Sequence, residues 1–145
     1  MADPLKWTTF EAITSDTGER PVSSAIASKG IDGAEKATAT IWRLQQMIQD
    51  MGWQKARITY KYNYKKGSEP RVVHKTGALW LLKCKPSCWR LYFYVDEVQG
   101  QIVYLRAVCK KKDKEDEQDI IKAEYVVNAI TKGDYSISAF PFPLG

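Results

Sequence analysis

Apolar positions recur every three or four residues between 34 and 51, at Ala37, Ile41, Leu44, Met47, Ile48 and Met51, laying one apolar stripe along a helix. Gly52 follows at once, where helices commonly end. The period then changes to two. Over 57–64, Ile58, Tyr60, Tyr62 and Tyr64 alternate with Arg57, Thr59, Lys61 and Asn63, and this β-branched and aromatic alternation predicts a strand. A turn or loop over 65–70 precedes a more uniformly apolar run, Ala78-Leu79-Trp80-Leu81-Leu82-Lys83-Cys84, read as a central strand. Lys85-Pro86-Ser87 joins it to a strand over 88–95, and Gln99-Gly100 turns that strand into another over 101–109. Three strands linked by two short turns form an antiparallel meander.

A second helix is predicted over 113–130. Its first turn is acidic, which suits the positive end of a helix dipole. Ile120, Ile121, Val126 and Val127, with Tyr125 or Glu124, give it an apolar face before Gly133 stops it. Residues 1–33 show little periodicity beyond a short helix near 21–28, and the tail over 134–145 reads as an edge strand or a docked extended arm. The chain has no internal repeat and no low-complexity block.

At 145 residues, the expected organisation is one domain over 1–145, with a core that needs no staples. Apolar residues at 44% and charged residues at 27% are the balance of a globular protein and argue against a disordered one. No apolar run approaches the ~20 residues of a membrane helix, and the N-terminus carries no apolar signal core. The expectation is therefore a cytoplasmic protein with no membrane partner. Net charge is +5 and the isoelectric point about 9.0, which favours polyanionic partners. Distribution sharpens this. Between 55 and 112 fourteen basic residues face only Glu69, Asp96 and Glu97, while acidic residues gather at the N-terminus and over 113–119.

Alternation sets Arg90, Tyr92 and Tyr94 on one face of their strand, cationic and aromatic, and Leu91, Phe93 and Val95 on the other, read as core. Arg90 is the strongest candidate, because a guanidinium holds two phosphate oxygens in a fixed fork. Tyr92 and Tyr94 are equally consistent with half-buried packing and with base stacking. His74, the sole histidine, lies in a basic loop and reads as solvated. Cys84, Cys88 and Cys109 invite a zinc site, but zinc usually takes four ligands at recognisable spacings and no second Cys or His pair exists. They read as reduced, partly buried thiols, with a Cys84–Cys88 hairpin disulfide as the alternative. Trp42, Trp53 and Trp80 read as core. No glycine-rich phosphate loop of either common type is present.

The segment from 76 to 130 resembles the RelE/ParE superfamily of toxins, and within it the HigB-like, phage-derived branch. Gly77-Ala78-Leu79-Trp80-Leu81-Leu82-Lys83 is similar to the family's glycine-x-leucine-tryptophan-glutamate-leucine-arginine strand. Trp89-Arg90-Leu91-Tyr92-Phe93-Tyr94 is similar to its tyrosine-arginine strand. Ile102-Val103-Tyr104-Leu105, Lys110-Lys111-Lys112 and Asp119-Ile120-Ile121-Lys122-Ala123 resemble its ending. Leu81 stands where the family has glutamate and Lys83 where it has arginine, and the acidic run replaces a threonine-proline pair. Residues 53–75 look like an inserted strand or hairpin, and 134–145 like a C-terminal arm.

The resemblance implies an α+β, RelE-like fold, with a small antiparallel meander packed against N-terminal helices and a C-terminal helix. It implies the toxin of a toxin–antitoxin system, a ribosome-dependent endoribonuclease that cleaves messenger RNA by metal-independent attack of the ribose 2′-hydroxyl, with no cofactor. Its partners would be an antitoxin protein and messenger RNA on the ribosome. Arg90, Lys83, Tyr92 and Tyr94 would carry catalysis. Arg106, Lys110, Lys111, Lys112 and Lys75 would bind RNA phosphates. The alternative is a superfamily member that binds without cleaving, either a gyrase-targeting toxin or a regulatory protein of a phage or mobile element.

Overall fold

The computed structural model describes residues 6–28, 31–63, 71–72, 79–83, 89–109 and 117–141. The fold is α+β. Ten elements follow in the order β1 (Thr8–Thr14), α1 (Pro21–Ala27), α2 (Ile31–Met51), α3 (Trp53–Asn63), β2 (Arg71–Val72), β3 (Trp80–Lys83), β4 (Trp89–Asp96), β5 (Gln101–Cys109), α4 (Glu117–Lys132) and β6 (Tyr135–Ala139). The strands form one six-stranded sheet in the order β2-β3-β4-β5-β1-β6. The meander β3-β4-β5 is antiparallel. The sheet as a whole is mixed, because β1 enters beside β5 in parallel and carries β6 antiparallel on its other side.

Each face of the sheet has its own core. On one, Leu91 and Phe93 of β4 and Ile102 and Tyr104 of β5 pack with Ile26 of α1, Ile41, Leu44 and Ile48 of α2, and Trp53 and Tyr60 of α3. On the other, Tyr92, Val103 and Leu105 pack with Ala123 of α4, flanked by Ile120, Val126, Val127 and Ile130. The apolar stripe of α2 is the one its spacing predicts, with Ala37, Ile41, Leu44 and Ile48 all fully buried. Gly52 ends that helix at φ +81°, donating its N–H to the Ile48 carbonyl at 2.8 Å. A non-glycine residue would carry a left-handed strain there.

Residues 53–63 are helix, not strand. Over 53–60 its buried residues are Trp53, Ala56 and Tyr60, spaced three and four apart, whereas Ile58, assigned by alternation to the tyrosine face, is half exposed. Tertiary burial of a helical stripe overrides the local β propensity of the tyrosines. Trp53 meets Trp80 edge-on at 4.9 Å and Phe93 at 5.9 Å, while the Arg57 guanidinium lies 5.5 Å from the Trp80 ring centre. Trp42 is 46% exposed rather than core. The strand Thr8–Thr14 belongs to a stretch that shows no clear period, and the tail forms an edge strand paired from Thr14↔Tyr135 to Phe10↔Ala139. Among the described residues, no helix is long and apolar enough to cross a membrane.

Candidate functional site

Cross-strand register gathers four of the residues singled out above. Lys83 of β3 faces Arg90 of β4, and Arg90 faces Val108 of β5. Two residues along, Leu81 faces Tyr92, and Tyr92 faces Arg106. Adjacent antiparallel partners lie within about 5.5 Å at Cα, so these two rows bring three strands' chemistry to one area of the sheet.

A β-bulge arranges the second row. Tyr92 pairs with Arg106 and Phe93 with Tyr104, leaving Leu105 as the extra residue on β5. A bulge sets two successive side chains toward one face and re-aims the second. Accordingly Leu105 joins the core beneath α4, and Arg106 also reaches α4, where its Nε donates to Asp119 Oδ1 at 3.0 Å. Nη2 of the same guanidinium lies 2.9 Å from the same oxygen. Asp119 is buried and Arg106 is 29% exposed, so the pair seals the core side of the arginine and leaves part of it toward solvent. Strict alternation would send Arg106 to the opposite face, and nothing in the sequence marks the bulge.

Burial divides the remaining candidates. Arg90 is 5% and Tyr92 1% exposed. Of the two roles left open for Tyr92, packing is the one found: it lies in the core that α4 covers, beside Ala123. Tyr94 is half-buried in the same layer, and burial, reinforced by the Asp96 carboxylate, raises its hydroxyl above the ordinary tyrosine value. Lys75, Lys110, Lys111, Lys112 and His74 lie outside the described residues.

Cys109, at the end of β5 opposite Trp89, is disulfide-bonded and not a reduced thiol. The other two cysteines, Cys84 and Cys88, lie outside the described residues. Among the described residues, no three His, Cys, Asp or Glu side chains converge as metal ligands.

A second polar group, which alternation could not reveal, ties β1 to the helical layer. Glu11 is fully buried, and its Oε1 accepts from the Ser23 backbone N–H at 3.1 Å and the Ser23 hydroxyl at 2.8 Å. Its Oε2 accepts from Arg20 Nη1 at 3.0 Å, and Arg20 Nη2 donates to Ser138 Oγ of β6 at 3.0 Å. Arg20, in the N-cap position of α1, makes no side-chain cap bond. The carboxylate of Glu11 supplies the missing acceptor from across the chain, next to the positive end of the helix.

Beside Arg106 the surface opens into a cleft of about 500 Å³, to which α1, β5, α4 and β6 all contribute. No family model, no curated protein and no solved structure matches the chain.

Proposed function

We propose that the protein is a RelE/ParE-like toxin that acts on RNA, cleaving messenger RNA on the ribosome and held in check by a separate antitoxin protein. One observation carries this reading: the register that sets Lys83 against Arg90 and Tyr92 against Arg106 on neighbouring strands. Cleavage by the 2′-hydroxyl needs a base for that hydroxyl, positive charge for the phosphorane and an acid for the leaving oxygen. Arginine, lysine and tyrosine supply all three in a protein with a single histidine. On this reading Arg106, partly open to solvent and held in a fixed plane by Asp119, meets the phosphate. Tyr94 keeps its proton at neutral pH and is available as the acid.

The burial of Arg90, and of Tyr92 beneath α4, favours a second reading, in which the same scaffold binds its target without cutting it. Expression of wild type, Arg90→Lys and Arg106→Ala in a bacterial host decides between them, with growth and mapped messenger ends as readouts. Growth arrest with codon-positioned cuts, both lost in Arg106→Ala, supports the ribonuclease. Arrest without cuts supports the binding protein. No arrest from soluble, folded wild type refutes the toxin reading. Arg90→Lys keeps the buried charge but not the fork, so loss of cutting in a folded Arg90→Lys protein assigns Arg90 a role beyond packing.

A further inference from the structure

Strand β1 runs beside β5 only from Thr8 to Glu11, opposite Gln101 to Tyr104. Beyond that point β1 stays with β6, while β5 continues to Cys109. The part of β5 beyond that point, Leu105 to Ala107, lines the cleft of about 500 Å³. Its lining includes Ala25 of α1, Leu105 and Arg106 of β5, and Lys122 and Tyr125 of α4, with Tyr135 at the start of β6. A space of that size lies within the range of small-ligand sites, about 300–1,000 Å³.

Three features restrict what fits. First, among the described residues the lining carries Arg106 and Lys122 and no carboxylate, and Arg106 is already paired with Asp119. Lys122 leaves that end net positive, which favours an anionic occupant. Second, Ile121 and Tyr125, one turn apart on α4, are 57% and 63% exposed and both border the cleft. A flat apolar body laid against them would cover surface that the rest of the fold leaves bare. Third, Pro21 and Ala25 of α1 also line the space, so a helix stands along the stretch of β5 where an added strand would have to run. This disfavours an extended peptide pairing with β5.

We propose that the cleft binds one nucleotide unit, its base against Tyr125 and the apolar lining and its phosphate on Lys122 and Arg106. The choice of a nucleotide over other anionic aromatic molecules rests on the RNA-acting reading. The source is either a free mononucleotide or one residue of a single strand.

Amide resonances of the full chain, titrated with adenosine and uridine monophosphates, with ribose 5-phosphate and with a five-residue single-stranded RNA, test the proposal. Shifts centred on Ala25, Lys122 and Tyr125 are expected, with ribose 5-phosphate the weakest ligand. Tyr125→Ala is expected to weaken mononucleotide binding about ten-fold, the scale of one stacked base. Lys122→Gln also weakens it, while Lys55→Gln on α3 leaves it unchanged. Both Tyr125 and Lys122 are exposed, so both variants keep the fold. Tighter binding of the five-residue RNA than of either mononucleotide identifies the strand as the source, and the reverse identifies free nucleotide. No shifts at millimolar nucleotide, or binding indifferent to Tyr125→Ala and Lys122→Gln, overturns the proposal. Its fate is separable from the toxin's. Nucleotide binding in the cleft of a protein that arrests no growth keeps the cleft and removes the toxin. Codon-positioned cutting by a protein whose cleft ignores nucleotides does the opposite.

Discussion

Arg106 and Asp119 meet through a single oxygen: Nε at 3.0 Å and Nη2 at 2.9 Å both converge on Oδ1. This contact fastens α4 to the bulged strand at its first turn, where a carboxylate is also favoured by the helix dipole. Asp119→Ala removes charge-assisted hydrogen bonds and the dipole partner together, and should lower stability by about 1–3 kcal/mol, measured as a urea midpoint shift at constant slope. Arg106→Ala should cost at least as much, because it takes this partner from a carboxylate only 5% exposed, whereas the arginine left by Asp119→Ala, 29% exposed, can reach water. A clearly smaller loss in Arg106→Ala would argue against a buried anchoring role for Asp119.

Glu11 is the more deeply set charge. Glu11→Ala deletes the acceptor of Ser23 N–H and Oγ and leaves Arg20 without its carboxylate. Arg20, 38% exposed, can turn to water, so the cost comes from the Ser23 donors that lose this acceptor, about 1–3 kcal/mol. Ser23→Ala, which loses one hydroxyl donor, should cost about 1 kcal/mol. Chemical denaturation of both variants provides the check. A Glu11→Ala protein as stable as wild type would mean that β1 and α1 are held by apolar packing alone.

Burial and the Asp96 carboxylate raise Tyr94 above its ordinary value of 10.0. In the unfolded chain the hydroxyl ionises near that ordinary value, and in the folded protein only at higher pH. The unfolded state therefore releases its proton first. Stability is intact below about pH 10 and falls as pH rises from there through the folded value. Tyr94→Phe should flatten this alkaline loss while leaving stability at neutral pH nearly unchanged, as followed by urea midpoints from pH 8 to 11. An equally steep alkaline loss in Tyr94→Phe would assign it to other groups.

The disulfide at Cys109 constrains the end of β5. Cys109→Ser should cost about 2–4 kcal/mol under oxidising conditions. A thiol reductant should lower the melting temperature of wild type and leave that of the variant unmoved. Peptide mapping without reduction will assign the partner to Cys84 or Cys88. A wild-type protein whose thiols all react with a maleimide before unfolding would contradict the bond.

What the sequence reveals depends on whether one face or two are buried. The 3.6-residue period of α2 and the runs of β4 and β5 are plain because their apolar content is high and their turns short, and 101–109 is the strand as read. Strand β1 is hidden because the inward residue at its centre is Glu11, which reverses the polar–apolar pattern until its partners Arg20 and Ser23 are known. Helix α3 imitates a strand because its tyrosines happen to alternate, while the residues that decide its placement, Trp53, Ala56 and Tyr60, follow the helical period. At the candidate site, Arg90 and the two tyrosines are identifiable by type and register. Their burial is not, since for the two tyrosines it is imposed by α4 from elsewhere in the chain. Arg106 reaches its face through a bulge that alternation cannot register.

Strand β1 is synthesised before either of its two neighbours in the sheet, β5 and β6. During synthesis both of its edges stay bare until Gln101 and then Tyr135 have left the ribosome, and the sheet closes only when β6 is laid down. A nascent chain stalled before residue 135 would display a finished β1 flank with no strand to cover it. Such a flank is a template for pairing with other chains. Both edges of β1 are thus covered only once the chain has been made through β6.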